Sequence, residues 1–326
     1  MHRSTTQPPI VTVAVVSWNT RELLLACLES LASEVSAGRA QVWVVDNGSS
    51  DGSAQAARER APWAHVIEAQ RNLGFGRAVN LVARSTESEW LVAANADVAL
   101  EPGALEGLLE ASSDDRAGCL APRLILPDGS TQHSVYPLPT VPFTLAFNLG
   151  LHRLTPRLAD RLCLEGFWDA ERAREVPWAI GAFLLLRRAA FDAVGGFDER
   201  QWMYAEDLDL GWRMRAAGWT TRYEPSARVR HQAGAATGPA FGEETVARFM
   251  AATYGALLRR RGLARTWTTA ALNVAGAAGR LAWMVPLARV STRWRGRRDE
   301  TRGWLAANLR GLASPSQLLR DAGPPE

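Results

Sequence analysis

Lysine is absent from the chain: all 37 basic side chains among its 326 residues are arginines. The absence reads as coding bias in a GC-rich genome rather than as a binding device. Cysteine is scarce, with only Cys27, Cys119 and Cys163, and no CxxC pair. That count and spacing exclude a disulfide framework and a structural zinc site, leaving free thiols in a reducing compartment as the expectation. No export signal is expected either, because "IVTVAVVS" is too short an apolar run and no small-residue cleavage site follows it. An internal repeat and a GxGxxG fingerprint after the first strand are both missing. The arginines form no recognition motif, which sets nucleic acid aside as a partner. What is present is ordinary for a folded chain, 47% apolar and 22% charged, enough for one domain of about 200 to 250 residues plus an appendage.

Charge divides the chain. Residues 241–326 carry 14 arginines against six acids, a net of +8, so residues 1–240 sum to −5 within an overall +3. The division predicted is 1–240 as a catalytic body and 241–326 as a basic, amphipathic helical extension. A basic tail on an acidic body points to an anionic membrane surface. Within the tail, Thr266–Ala288 holds one charge, Arg280, over 23 residues. It is long enough to span a bilayer, but it is Ala-, Gly- and Thr-rich and its arginine costs about 2.5–3.5 kcal/mol on insertion scales. A helical hairpin, packed on the body or lying on the membrane, is the expectation, with Trp267, Trp283 and Trp294 as interfacial residues.

Strand and helix signals alternate through the first half. "IVTVAVVS" (Ile10–Ser17), "QVWVVDN" (Gln41–Asn47), "AHVIEA" and "EWLVAANADV" (Glu89–Val98) read as strands, with helical spacing between them. Such βα units predict an α/β fold with a mostly parallel sheet covered by helices on both faces. Ligands of such sheets bind at the carboxyl ends of the strands. Pro127–Val176 has no regular pattern. Pro177–Arg188 reads as a central strand, Gly195–Phe197 as a turn, Asp207–Ala217 as a helix ended by Gly218, and Ala227–Gly234 as a last strand running into a loop.

Four loops close strands at sites suited to chemistry. "SWNT" contains Ser17 and Asn19. "DNGSSDGS" presents Asp46 at a strand end, with Gly48 and Gly52 free to turn backbone amides toward a ligand. "RNLGFGRAVN" places Gly74 at a helix start, where Arg71 or Arg77 can meet a phosphate. "ANADV" carries Asn95 and Asp97, and Asp97 suits a hard divalent cation bridging diphosphate oxygens. His231 ends a later strand, and beside Asp97 an imidazole favours Mn²⁺ over Mg²⁺. Finally, "YAEDLDLGW" crowds Glu206, Asp207 and Asp209 into four positions, although like charges this close raise the cost of ionising one another.

In order and spacing, "VVSWN", "VVDNGSSDGS", "NLGFGRAVN", "NADV", "GAFLLLRRAAFDAVGGFDE", "YAEDLDLGWRMRAAGW" and the downstream His231 resemble the family 2 glycosyltransferases of GT-A fold, in particular their bacterial rhamnosyltransferase-like branch. The resemblance runs from about Ile10 to Ala236. It implies an inverting, metal-dependent transfer from a dTDP-, UDP- or GDP-sugar to a lipid-linked or polysaccharide hydroxyl. The expected place is the cytoplasm, peripheral on the inner face of the plasma membrane. Asp207 resembles the family's catalytic base, with Glu206 orienting the acceptor or a neighbouring side chain. Asp97 and His231 resemble the contacts of a Mg²⁺ or Mn²⁺ ion. Asp46 resembles the residue that meets the base, and Ser17, Asn19, Gly74, Arg77 and Asn95 are its companions in donor binding. Asn95 departs from the acid that many members carry, which is similar to members using dTDP-sugars such as dTDP-L-rhamnose. Asp209 is expected either to fix the helix start or to pair with Arg213 one turn on.

Two other classes fit parts of the chain. A nucleotidyltransferase needs a Gly-rich basic loop after the first strand, where only Arg21 stands. A non-catalytic nucleotide-sugar or lipid-binding module has no need of Asp97, Asp207 and His231 together. The glycosyltransferase reading requires those three to converge on one cleft.

Overall fold

A computed structural model of the chain describes residues 10–235, 238, 241–288 and 292–323. Contacts divide it into two compact units. The first takes in residues up to Tyr136, Asp169–Glu199 and Asp209–Ala236; the second takes in Pro137–Trp168, Arg200–Leu208 and Thr237 onward. The boundary expected at residue 240 falls on residues outside those described.

The first unit is an α/β sandwich built on β1 (Val11–Ser17), β2 (Ala40–Asp46), β3 (His65–Glu68), β4 (Trp90–Asn95), β5 (Val98–Leu100), β6 (Ala117–Ile125), β8 (Arg174–Val176), β10 (Phe183–Arg187) and β11 (Thr220–His231). The order is β3-β2-β1-β4-β10-β6-β11-β5, with β8 pairing to β11. Strands β3, β2, β1 and β4 run parallel, linked by helices α1 (Arg21–Ser36), α2 (Ser53–Arg60) and α3 (Phe75–Arg84). Valines 11, 13 and 15, with Ala14 between them, are fully buried in β1, the two-sided burial that gives parallel strands unbroken apolar runs. A small ribbon pairs β7 (Val135–Tyr136) with β9 (Trp178–Ala179).

Three strand expectations are corrected. Pro177–Arg188 is two strands, and the central one, β10, runs antiparallel to β4 and β6; apolar content marks a strand's depth but not its direction. Asp97 does not close β4: the strand stops at Asn95, turns, and continues as β5. The last strand begins at Thr220 rather than Ala227, with a register shift between Glu224 and Arg228. Such a shift bends a strand and re-aims the side chains beyond it, including His231. The expected Gly195–Phe197 turn is held by Asn80, whose Nδ2 donates to the Phe197 carbonyl and whose Oδ1 accepts from its amide. A β-carbon on Gly196 would stand 2.7 Å from Asn80 Oδ1, at a backbone φ of +70°. The three cysteines are buried and form no disulfide.

The second unit is helical: α5 (Val141–Asn148), α6 (Pro156–Arg161), α9 (Thr245–Arg261), α10 (Leu263–Ala288), α11 (Thr292–Arg310) and α12 (Pro315–Asp321). The segment that showed no pattern in the sequence therefore contains α5 and α6. Thr140 caps α5 and Ser314 caps α12, each accepting from a first-turn amide. The amphipathic pattern of the extension yields α9, and Thr266–Ala288 falls within the single helix α10. Among the described residues no helix is long and apolar enough to cross a membrane. Helix α7 (Arg188–Ala193) belongs to the first unit, and α8 (Glu206–Ala216) starts in the second and runs into the first.

Candidate active site

Loops at the carboxyl ends of β1 and β2 are laced together. Ser17 and Asp46 are register partners, so the chain leaves the sheet at one level on both strands. Asn19, held at φ 52°, donates its amide to Ser49 Oγ at 2.9 Å and accepts from the Ser50 amide at 2.8 Å. Asp51 accepts from the first amide of α1 at Arg21 and from Ser53 at the start of α2. Burial raises its carboxyl, but these hydrogen bonds outweigh it and hold the group below its ordinary value. Gly48 adopts φ +79° and would carry a β-carbon 3.1 Å from the Arg71 backbone; only glycine meets both demands there without strain.

Asp46 sits at the bottom of this lacing, 3% exposed. Its Oδ2 accepts from the Ser49 amide, whereas Oδ1 is buried with no hydrogen-bond partner. A carboxylate oxygen left so is a costly feature unless a ligand donor reaches it. Asn47, which sequence reasoning passed over, ties the third loop in: its Oδ1 accepts from the Leu73 amide and its Nδ2 donates to the Gly74 carbonyl. Its place directly after Asp46 in a turn was the available signal. Gly74 begins α3 at φ +84°. Arg77 turns to Glu199, its Nε donating to the carbonyl at 2.9 Å. Asn95 is half-buried at the end of β4, its amide bonded to the Ala182 carbonyl.

Asp97 and His231 come together. The pairing of β5 with β11 sets His231 against Val98, and the Gln232 amide donates to the Asp97 carbonyl. His231 Nε2 stands 3.3 Å from Asp97 Oδ1, the side chains being 6% and 8% exposed. Neither atom makes a hydrogen bond. On the other side of the ring, Nδ1 lies 2.6 Å from Gln132 Oε1. A buried carboxylate oxygen and a ring nitrogen this close are bridged either by a proton on Nε2 or by a bound cation. Neighbouring oxygen and nitrogen ligands on a small divalent cation stand about 3 Å apart, so this pair fits such an ion. No cluster of three or more His, Cys, Asp or Glu suited to a metal occurs among the described residues; the pair alone would supply the protein's share of the shell. Both residues line a cavity of about 1120 Å³, whose walls also include Glu29, Arg39, Arg228 and Arg230. Nothing in the sequence singles out Gln132.

The crowded carboxylates follow a strained turn. Tyr204 and Ala205 adopt φ of 62° and 59°, two successive left-handed residues without a glycine, at about 1–3 kcal/mol each. Gln201, 1% exposed, holds the turn: its Nε2 donates to the Tyr204 carbonyl at 2.8 Å and to the Ala252 carbonyl of α9 at 3.2 Å. Tyr204 packs edge-on against Phe249 of the same helix. Glu206 opens α8 as a buried side chain whose Oε2 has no hydrogen-bond partner. Burial, and after it the Asp207 carboxylate, push the Glu206 carboxyl up to about 8, so it holds its proton at neutral pH. Asp207 is half-buried and accepts from the Leu208 amide. Asp209 pairs with Arg213 at 2.7 Å, as its spacing predicted. The crowd thus separates into a protonated Glu206, an ion-paired Asp209, and Asp207 between them.

Parallel strands with ligand-ready loops at their carboxyl ends place the chain among α/β proteins of nucleotide-binding architecture. The family is given by comparison: the model for glycosyl transferase family 2 matches residues 12–195, and that for glycosyl transferase family group 2 matches residues 152–293. The chain belongs to glycosyl transferase family 2, is a glycosyltransferase of GT-A fold, and resembles the rhamnosyltransferases within it. An N-acetylglucosaminyl-diphospho-decaprenol L-rhamnosyltransferase of Mycobacterium tuberculosis is 39% identical over 246 residues, 71% of this chain and 77% of that protein. The O-antigen biosynthesis protein RfbC of Myxococcus xanthus is 24% identical over 70% of this chain and 18% of its own. Among solved structures, a mannosyltransferase of Pyrobaculum calidifontis in complex with GDP-Man and Mn²⁺ superposes with a TM-score of 0.59 at 18% identity, over 94% of this chain and 88% of that one. At that identity the likeness is one of fold.

Proposed function

We propose that the chain transfers L-rhamnose from dTDP-L-rhamnose, with inversion, to a hydroxyl of a lipid-linked acceptor of cell-surface polysaccharide synthesis. The 39% identity to a rhamnosyltransferase acting on a diphospho-decaprenol substrate carries the choice of sugar and acceptor. The chemistry is supported by Asp97 Oδ1 and His231 Nε2, buried, 3.3 Å apart and without a hydrogen bond. Asp207 removes the proton of the acceptor hydroxyl as that oxygen attacks the anomeric carbon. The bond from that carbon to the diphosphate oxygen breaks on the opposite side, and dTDP departs. Asp97 and His231 would hold a Mg²⁺ or Mn²⁺ ion, which when bound would supply neutralising charge for the departing diphosphate. The neutral Glu206 can donate a hydrogen bond without repelling the base beside it.

Asp46 Oδ1 is the acceptor offered to the base; a thymine or uracil carries an N–H at the matching edge. Ser17, Asn19, Gly74 and Asn95 are the companion donor contacts in this reading. Arg77, with its Nε bonded to the Glu199 carbonyl, has its other guanidinium nitrogens for the phosphates. Such an acceptor presents its reactive end at an anionic membrane surface, and the proposal puts the enzyme on the inner face of the membrane.

The test is transfer from a panel of dTDP-, UDP- and GDP-sugars to a synthetic N-acetylglucosaminyl-diphospho-lipid, with Mn²⁺, with Mg²⁺ and with chelator. Turnover confined to dTDP-L-rhamnose, dependent on metal and reduced about 10²–10⁴-fold in Asp207→Asn, is expected. Preference for a UDP- or GDP-sugar overturns the donor, and undiminished turnover in Asp207→Asn overturns the base.

A further inference from the structure

The second unit carries an apolar surface with no part in the proposed transfer. Leu145, Phe147, Leu149, Leu151, Leu154 and Leu158 are 40–78% exposed, within 14 consecutive residues spanning α5, a 3₁₀ turn and the start of α6. Soluble surfaces rarely gather large apolar side chains this densely without a partner. No acid occurs anywhere in residues 129–159, whereas Arg153 and Arg157 lie among the leucines. A third guanidinium joins from α10: Arg280 Nη1 donates to Asn148 Oδ1 at 3.2 Å, and Asn148 donates in turn to Asn273. Arg280 lies below its ordinary value because of burial and the nearby charge of Arg153. Among the described residues no carboxylate stands within ion-pair distance of Arg153, Arg157 or Arg280.

We propose that Leu145–Leu158, with Arg153, Arg157 and Arg280, is the surface by which the protein docks on an anionic phospholipid bilayer. Exposed leucines flanked by arginines without counter-ions suit the boundary between acyl chains and anionic headgroups. A second copy of the chain would present the same uncompensated cations to each other, and so fits less well. The site differs from the tryptophan-bearing tail that the sequence suggested. Trp267 donates its ring N–H to the Ala313 carbonyl, and Trp294 packs edge-on against Trp283 with Arg297 over its ring. The purpose of docking rests on the lipid-linked acceptor proposed above, but its test needs neither donor nor turnover.

Co-sedimentation of the full chain with phosphatidylcholine vesicles, plain or with about one-third phosphatidylglycerol, decides the matter. Expected is binding to the anionic vesicles that weakens with salt. Leu151→Ser with Leu154→Ser should reduce partitioning by about tenfold or more, and Arg153→Gln with Arg157→Gln should flatten the salt dependence. Circular dichroism and analytical ultracentrifugation accompany each variant. Four results would overturn the proposal: no binding to anionic vesicles; binding unchanged in the leucine pair but lost in Arg293→Gln with Arg295→Gln; binding only to neutral vesicles doped with a polyprenyl diphosphate; or a wild-type dimer that the leucine pair dissociates.

Discussion

The two compact units treat apolar surface in opposite ways. Among the described residues the first exposes one large apolar side chain, Ile10, and the second exposes thirteen, from Leu145 to Leu319. Their charges are opposite too: the second sums to +8 and the first to −5, within the +3 of the chain. The first closes its parallel strands on both faces, and its buried polar atoms without a hydrogen bond include Asp46 Oδ1, Asp97 Oδ1 and His231 Nε2. In the proposed reading, this is the unit that holds the donor. The second holds its helices with far fewer fully buried large residues, Tyr254 being the main one, bonded to Asn308 and Asn273. A helical unit of that kind, basic and apolar outside, is built to meet something.

Breaking the polar economy of the first unit has the largest expected effect. Asp97→Ala removes one of the two facing groups, and loss of metal-borne charge stabilisation should lower kcat by about a thousandfold. Mn²⁺ binding followed by calorimetry should fall with it, while thermal stability holds. Retained Mn²⁺ affinity would show that the pair does not hold the ion. Next comes the carboxylate turn of the second unit. Gln201→Leu leaves the Tyr204 and Ala252 carbonyls without their shared donor, at about 2–4 kcal/mol. Denaturant titration should show that loss, and kcat should fall because the left-handed turn no longer holds Asp207.

Glu206 gives a pH signature. Its folded value, about 8, lies above the ordinary 4.5, so between those values the folded state binds the proton that the unfolded chain has released. Stability from this group is complete below about 4.5 and declines as pH rises toward about 8. Glu206→Gln should remove that decline in unfolding free energy measured across the window. An unchanged slope would place the titration elsewhere.

Much of the first unit was legible in the sequence because its determinants are local. Valine runs mark strands buried on two faces, Gly48 and Gly218 mark turns, and the four-residue spacing of Asp209 and Arg213 foretold their ion pair. Direction and register were not legible, since both depend on partners distant in sequence; β10 read as one more strand of the sheet and proved antiparallel. Of the candidate site, the residues with charged or loop-forming chemistry stood out, but the amides that position them did not. Asn47, Gln132 and Gln201 act through partners 26, 99 and 51 residues away. The second unit was the least legible: its α5–α6 segment gives no periodic signal because both helices are short and their apolar residues are not turned to one side.

The smallest expected effect sharpens the contrast most. Leu154 is 78% exposed, whereas Leu91 in β4 is 1% exposed. A side chain that stays in water on folding contributes little to the transition, so Leu154→Ser should change unfolding free energy by about 0.5 kcal/mol or less. Leu91→Ser in the first unit removes a packed side chain and buries a hydroxyl, and should cost about 3–5 kcal/mol. Urea titration of the two variants compares them directly. A loss above about 1.5 kcal/mol in Leu154→Ser would mean that the leucine is packed in the folded protein, and the second unit would then be a conventional core rather than a surface kept apolar for a partner.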